Sequence, residues 1–212
     1  MTDWRSTLQE LAARYPEAVR LRPGISPEEL EELERRAGPT LVNLDATLPE
    51  LLRLSNGFEA GPYRVYPVLG ESIWTIAFRT VFLWELNGSW RDRMLVFGGD
   101  RGFVDVGVVR SYLERPCVGI VVDSGYELDE TVPLAADLAT FLSAFLEQGR
   151  ELLERDGTWT EPLPSLAEWP PDLHPWFRRD PRLVRRIIAA TRADLLRESG
   201  TYTEQIREAA GG

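Results

Sequence analysis

The sequence predicts an α+β fold, with a mostly antiparallel β-sheet flanked by helices and a helical C-terminal extension. Three observations predict it: capped amphipathic helices come first, short β-branched or aromatic runs bounded by glycines follow, and a long amphipathic helix comes next. Helices and strands that are segregated along the chain are typical of this class. We divide the chain into an α+β domain, 1–156, and an extension, 157–212, with a proline- and tryptophan-rich segment and an arginine-rich helix.

The first third of the chain predicts three helices. Apolar residues at helical spacing define the first, Asp3–Tyr15, which ends before a proline. The second has Ser26 as its N-cap in a capping box and ends at Gly38. The third is expected to begin with a capping box at Thr47 and to end where Gly57 adopts a positive φ.

The middle of the chain predicts strands and then a long helix. Short runs of β-branched and aromatic residues indicate four strands, at Tyr63–Leu69, Met94–Phe97, Phe103–Val109 and Val118–Val122. The segment Ile73–Leu86 is apolar on all sides, so both strand and helix remain open there. An amphipathic pattern then predicts a helix over Ala135–Arg155.

The C-terminal extension differs from the domain in composition and in charge. Five prolines alternate with three tryptophans between Gly157 and Trp176, which predicts an extended segment pinned against a surface. A helix should follow from Asp180 to about Ser199. Between Arg178 and Arg197 the chain has seven arginines against two aspartates, whereas residues 1–150 have 15 arginines against 23 acidic residues. We therefore expect the arginines to dock on the protein's own acidic domain or on a partner.

Composition limits the function classes. The 212 residues are 43% hydrophobic and 27% charged, which is typical of a folded chain. The net charge is −10, which disfavours nucleic acid and anionic membrane and favours a cationic protein partner. No signal peptide or membrane-spanning run is visible, and the single cysteine forms no internal disulfide, so we expect a cytoplasmic protein. The sequence contains no lysine, which excludes lysine-based catalysis.

Candidate catalytic and metal-binding residues each have a structural explanation. The glycine-rich segment Phe97–Gly102 leads into a predicted strand, whereas a phosphate loop leads into a helix. The segment is therefore predicted to be a hairpin turn. Cys117 is expected to be a buried small residue, and His174 lies among prolines. Four aspartates are weak candidates for a hard metal ion: Asp100, Asp105, Asp123 and Asp129. We therefore expect no enzyme activity, no cofactor and no metal.

Several motifs, taken together, resemble the SUKH superfamily of Smi/Knr-like domains. They cover about residues 1–150 and comprise Pro23–Leu30, Leu48–Leu52, Leu54–Phe58, the turn Gly98–Asp100 before a strand containing Asp105, and Phe141–Leu146 in the closing helix. The resemblance implies a non-enzymatic protein-binding domain. Bacterial members are mostly immunity proteins that neutralise polymorphic toxins, and fungal members regulate cell-wall synthesis and signalling.

The expected function is therefore that of an immunity protein that occludes a polymorphic toxin, and the candidate partner is a basic toxin domain. The alternatives are a regulatory scaffold of the cell-wall or signalling type and a hydrolytic enzyme with an acidic cleft. The expected partner-binding residues are Asn56, Glu59, Tyr63, Trp84 and Asp100. A further group, Trp74, Trp84 and Trp90, belongs either to the core or to an interface, where one of them would be an exposed anchor.

Overall fold

The fold is described from a computed structural model of the chain. It describes residues 3–38, 42, 45–70, 72–86, 88–91, 93–100, 104–110, 117–122 and 132–160. The predicted arginine-rich helix, the segment from 161 to Pro175, His174, Asp123 and Asp129 lie outside these residues.

Helices and strands follow one another in the order that the sequence predicts for an α+β fold. The described helices are α1 (Trp4–Arg14), α2 (Pro27–Ala37), α3 (Thr47–Leu54), α4 (Ile76–Leu86) and α5 (Leu138–Asp156), with a short 3₁₀ turn at Gly88–Trp90. The strands are β1 (Val19–Leu21), β2 (Phe58–Ala60), β3 (Tyr63–Val65), β4 (Met94–Asp100), β5 (Val104–Val109), β6 (Cys117–Val122) and β7 (Val132–Ala135).

The seven strands form one sheet in the order in which they occur along the chain. Every neighbouring pair is antiparallel, which confirms the expected sheet. The glycine-rich segment does form a hairpin, because β4 continues to Asp100 and pairs with β5 in antiparallel register, Gly99 opposite Asp105. The residues of the turn itself, 101–103, lie outside the described part.

The centre of the sheet is covered on both faces. Adjacent residues of a strand point to opposite faces. On β5, Val106 faces α5 and Phe141, whereas the neighbouring Asp105 is bonded to Arg79 of α4. Helix α5 therefore covers one face, and α4 reaches the other. The ring of Phe97 lies 6.0 Å from that of Phe141, and these contacts form part of a continuous apolar core.

Caps explain where most of the helices begin. At α2, the Ser26 hydroxyl accepts from the Glu29 amide and the Glu29 carboxylate accepts from the Ser26 amide, as the sequence predicts. At α3, the predicted capping box is wrong: Thr47 lies inside the helix and Ala46 is the N-cap. The Asp45 carboxylate accepts the Thr47 amide instead, at 2.8 Å, because it also binds the first amide of α5.

Other boundaries differ from the predicted ones. The strand expected to extend to Leu69 ends at Val65, and the segment Ile73–Leu86, left open by its uniform apolarity, contains α4. Ala135 belongs to β7, so the last described helix begins only after its N-cap, Asp137. The short strands β1, β2 and β7 were not predicted. Strands of three or four residues carry too little periodicity to be recognised from sequence.

The first part of the extension is fixed to the domain by Trp159. Helix α5 ends at Gly157, whose left-handed conformation turns the chain back. The indole of Trp159 is buried, 4.7 Å from the ring of Phe145, and lies directly over Gly149 and Gly61. The predicted pinning of this segment is confirmed at Trp159, as far as the described chain extends.

Within the described residues, no helix has the combination of length and apolar character that crossing a lipid bilayer requires.

Candidate functional site: an apolar groove between α2 and α4

An open groove of about 490 Å³ lies between α2 and α4. Its apolar lining residues include Leu69, Phe78, Val81 and Phe82. Its charged lining groups include Arg36 of α2 and Glu85 of α4. Clefts of this size and mixed character are typical binding sites in proteins.

Helix α4 exposes large apolar side chains beside the groove. Phe78, Phe82 and Leu86 follow at intervals of four residues and so lie on one side of the helix. Phe78 is 47% exposed and Leu86 55% exposed, and Ile73, just before the helix, is 51% exposed. The rings of Phe78 and Phe82 stack with their centroids 6.1 Å apart. We call these four residues the α4 apolar patch. Large exposed apolar side chains close together in the fold often mark a protein-binding site.

The side of α4 adjacent to the patch is held by a buried polar network. The Arg79 guanidinium donates to the Asp105 carboxylate at 3.0 Å, and the Tyr66 hydroxyl donates to the same carboxylate at 3.0 Å. Arg79 and Asp105 are almost completely buried, and the Arg79 guanidinium also lies over the rings of Trp74 and Phe82. The network therefore fixes the rotation of α4 that leaves Phe78 exposed.

The charge state of this network follows from its surroundings. Burial, followed by the negative charge of Asp105, raises the pKa of Tyr66 well above its usual range. Tyr66 is therefore a neutral hydrogen-bond donor at every ordinary pH. Its proton is directed at a carboxylate that Arg79 also pairs, so a buried cation offsets the negative charge of Asp105.

Two further α4 side chains act as partners for the backbone of β4. Strand β3 pairs with the end of β4, Gly98–Asp100, while α4 covers its beginning. The Thr80 hydroxyl accepts the Val96 amide at 3.1 Å, and the Trp84 indole donates to the Met94 carbonyl at 3.1 Å. Alternate residues of β4 present these groups to one edge. Side chains of α4 thus replace a neighbouring strand and anchor the helix beside the sheet.

The α2 side of the groove carries mostly negative charge. Glu28 and Glu31 are exposed, and Glu32 binds both Arg35 and Arg36 at 2.6 Å. These two guanidinium groups lower the pKa of Glu32 to about 2. Because Arg36 is already paired with Glu32, its positive charge is partly offset at the rim, and the exposed Glu28 and Glu31 favour a cationic partner.

Asn56 and Glu59, two of the predicted partner-binding residues, have structural contacts. The Asn56 side chain accepts the Val68 amide at 2.8 Å and donates to Glu29 at 3.5 Å, joining the segment after β3 to α2. Glu59 on β2 lies opposite Arg64 of β3, with 3.4 Å between the charged atoms.

The other three predicted residues do not meet in one exposed site. Tyr63 is buried and makes an edge-on contact with Phe145, and Trp84 is buried against β4. Asp100 is half-buried at the end of β4, opposite Tyr63. Glu59, Tyr63 and Asp100 occupy one end of adjacent strands, whereas Asn56 and Trp84 lie elsewhere. Their assignment to partner binding remains a prediction.

The tryptophan group and the candidate metal ligands also occupy separate places in the fold. Trp84 and Trp90 belong to the core, and Trp74 is the partly exposed member. Cys117 is buried in β6, as expected for a small core residue. Asp105 is engaged by Arg79, and within the described residues no group of three or more acidic, histidine or cysteine side chains is arranged to hold a metal ion.

The groove residues were missed because α4 itself was ambiguous in sequence. An arginine inside the apolar run Ile73–Leu86 was the available signal, since a lone charge there requires a buried partner. No protein-family model and no curated protein matches the chain, so the site is interpreted from its geometry.

Proposed function

We propose that this chain is a non-enzymatic protein-binding module, acting as an immunity protein that occludes a polymorphic toxin through the α2–α4 groove. The exposure of the α4 apolar patch carries the proposal: Phe78 and Leu86 on α4, and Ile73 just before it, are each about half exposed, and a buried network anchors the helix. Large apolar side chains on a rigid platform are typical anchors of protein interfaces.

Charge supports the choice of partner. The net charge of −10 and the exposed glutamates of α2 would attract a cationic toxin surface and accelerate association. The polar groups in the groove include Arg36, Thr75 and Glu85, and Arg36 is paired with Glu32. This lining favours contact over acid–base catalysis. The resemblance to SUKH domains points to the same class, and we place the protein in the cytoplasm.

The test is stoichiometric inhibition of a toxin domain encoded beside this gene. The wild-type chain should abolish toxin activity at a one-to-one ratio. Phe82→Glu should weaken binding ~30-fold or more, as expected for a hot spot of about 2 kcal/mol. The matched control is Ala13→Glu, which adds the same charge at an exposed position of α1. Full toxin activity at a tenfold excess of wild-type chain would contradict the proposal.

The role of the acidic face has its own test. Reversing Glu28 and Glu31 to arginine should lower the association rate and weaken its dependence on salt, with little change in the dissociation rate. Stopped-flow measurements at two salt concentrations give both quantities. Unchanged kinetics would remove the α2 face from the binding surface and leave only the apolar patch.

A further inference from the structure

We propose that the segment which enters the α2–α4 groove is an amphipathic helix of the partner protein, with its apolar face on α4 and an arginine or lysine bound to Glu85. This deepens the binding role given above and rests on it for the class of occupant, a protein with a positive surface. The row of side chains along α4, the hydrogen bonds already made in the groove and the charge at the end of α4 each support it.

The side of α4 that lines the groove is suited to packing against another helix. Phe78, Val81, Phe82 and Glu85 line the groove, and the last three follow Phe78 by three, four and seven residues, so all four lie on one side of the helix. At about 1.5 Å per residue, this row is roughly 10 Å long, which is two helical turns. Helix α2 contributes Arg36 on the other side. A third helix laid along the row can pack its own side chains between these.

The described polar side chains that line the groove offer little to the backbone of an extended peptide. They are Arg36, Thr75 and Glu85. Arg36 donates to Glu32 at 2.6 Å, and the Thr75 hydroxyl accepts the Phe78 amide at 3.2 Å. An extended chain brings an amide and a carbonyl with each residue, and these need partners when buried, whereas a helix bonds them internally. A helix therefore fits this groove better than an extended segment.

The C-terminal end of α4 lacks a cation that the other described helices have. An arginine in the last turn stabilises the negative end of a helix dipole. The other helices have Arg14, Arg35 and Arg36, Arg53, and Arg155 in these positions. The last turn of α4 has no basic residue and has the exposed Glu85 instead, and no described residue forms an ion pair with its carboxylate. A cation of the partner placed there would interact favourably with both the carboxylate and the helix end.

The charge on the α2 side also favours a cationic helix. Arg36 and Arg35 both bind Glu32, and α2 as a whole has five glutamates against these two arginines. Basic residues along the margins of the partner helix would therefore be attracted to this side as well. A second copy of this chain is a poorer occupant, because two chains of net charge −10 repel each other.

The test uses a peptide as the probe and the full-length chain as the receptor. The probe is a fluorescein-labelled peptide of about 18 residues, with leucines at i, i+3, i+4 and i+7 and arginines on both margins. One comparison peptide has glutamates on the margins, and a second has the same composition with leucine at every other residue. Fluorescence anisotropy should show that the arginine peptide binds at least ~10-fold more tightly than either.

A pair of variants locates the peptide at the end of α4. Glu85→Gln should lower the affinity for the arginine peptide ~3- to 5-fold, as expected when an exposed ion pair is lost. The matched control is Glu10→Gln, which removes the same charge at an exposed position of α1 that does not line the groove, and it should leave the affinity unchanged.

Several outcomes would overturn the proposal. They are no binding of the arginine peptide at ~1 mM, equally tight binding of either comparison peptide, and equal effects of Glu85→Gln and Glu10→Gln. Failure of the proposed function is distinguishable. A chain that discriminates among the peptides but inhibits no toxin keeps the helix-binding groove and loses the immunity role, whereas inhibition without this discrimination keeps the immunity role and overturns the helix.

Discussion

Removal of Arg79 should be among the most damaging single substitutions in the domain. Arg79→Met keeps the length of the side chain but removes the guanidinium that pairs with the Asp105 carboxylate, which is 1% exposed. Breaking a buried pair from one side costs about 3–5 kcal/mol. With a urea m-value of about 2 kcal/mol per molar, the unfolding midpoint should fall by about 1.5–2.5 M. Urea denaturation followed by circular dichroism measures the shift.

Two further variants separate the ion pair from simple loss of packing. Arg14→Met breaks an exposed ion pair with Glu154, in which the charged atoms are 3.0 Å apart, and should cost less than about 1 kcal/mol. The triple variant Arg79→Met, Asp105→Leu and Tyr66→Phe removes the three described members of the network and should recover most of the lost stability. If Arg79→Met were no more destabilising than Arg14→Met, the network would not hold α4 as described.

Three other predictions follow from single contacts. A Cβ at Gly149 would lie 2.3 Å from the ring of Trp159, so Gly149→Ala should destabilise the wild-type chain in urea but not a Trp159→Ala chain, where the alanine's helix propensity prevails. The raised pKa of Tyr66 means that its stabilising effect is present below pH 10 and is lost as pH rises further; Tyr66→Phe should flatten this alkaline decline. The lowered pKa of Glu32 gives the opposite sign, so stability from its arginine pairs should fall between pH 5 and 2, and Glu32→Gln should reduce that slope. Equal slopes in variant and wild type would contradict either pH assignment.

Much of the fold was predictable because local chemistry and tertiary structure agree in its clearest elements. The serine cap and the glutamate three residues later define α2, and Gly57 adopts the expected positive φ after α3. The predicted boundaries were wrong where a residue distant in sequence determines the local structure. Thr47 is not a cap because Asp45, held by the start of α5 some 90 residues later, takes that role.

The candidate site was less predictable than the fold. Helix α4 has apolar side chains that pack in the core and further apolar side chains that line the groove. Its sequence therefore lacks the alternation of apolar and polar residues that would distinguish a helix from a strand. Trp84 illustrates the limit: its residue type suggests an interface anchor, but its indole completes the hydrogen bonding of β4. Which apolar face of a helix is covered is a property of the tertiary packing and cannot be read from composition.

Site-specific cross-linking tests the binding role of the α4 patch most directly. A photoreactive side chain at position 86, where Leu86 is 55% exposed, should form a covalent adduct with the toxin domain at a one-to-one ratio. The same group at the exposed position 13 on α1 should form none. Adducts from position 13 but not from position 86 would show that the partner binds elsewhere and would contradict the account.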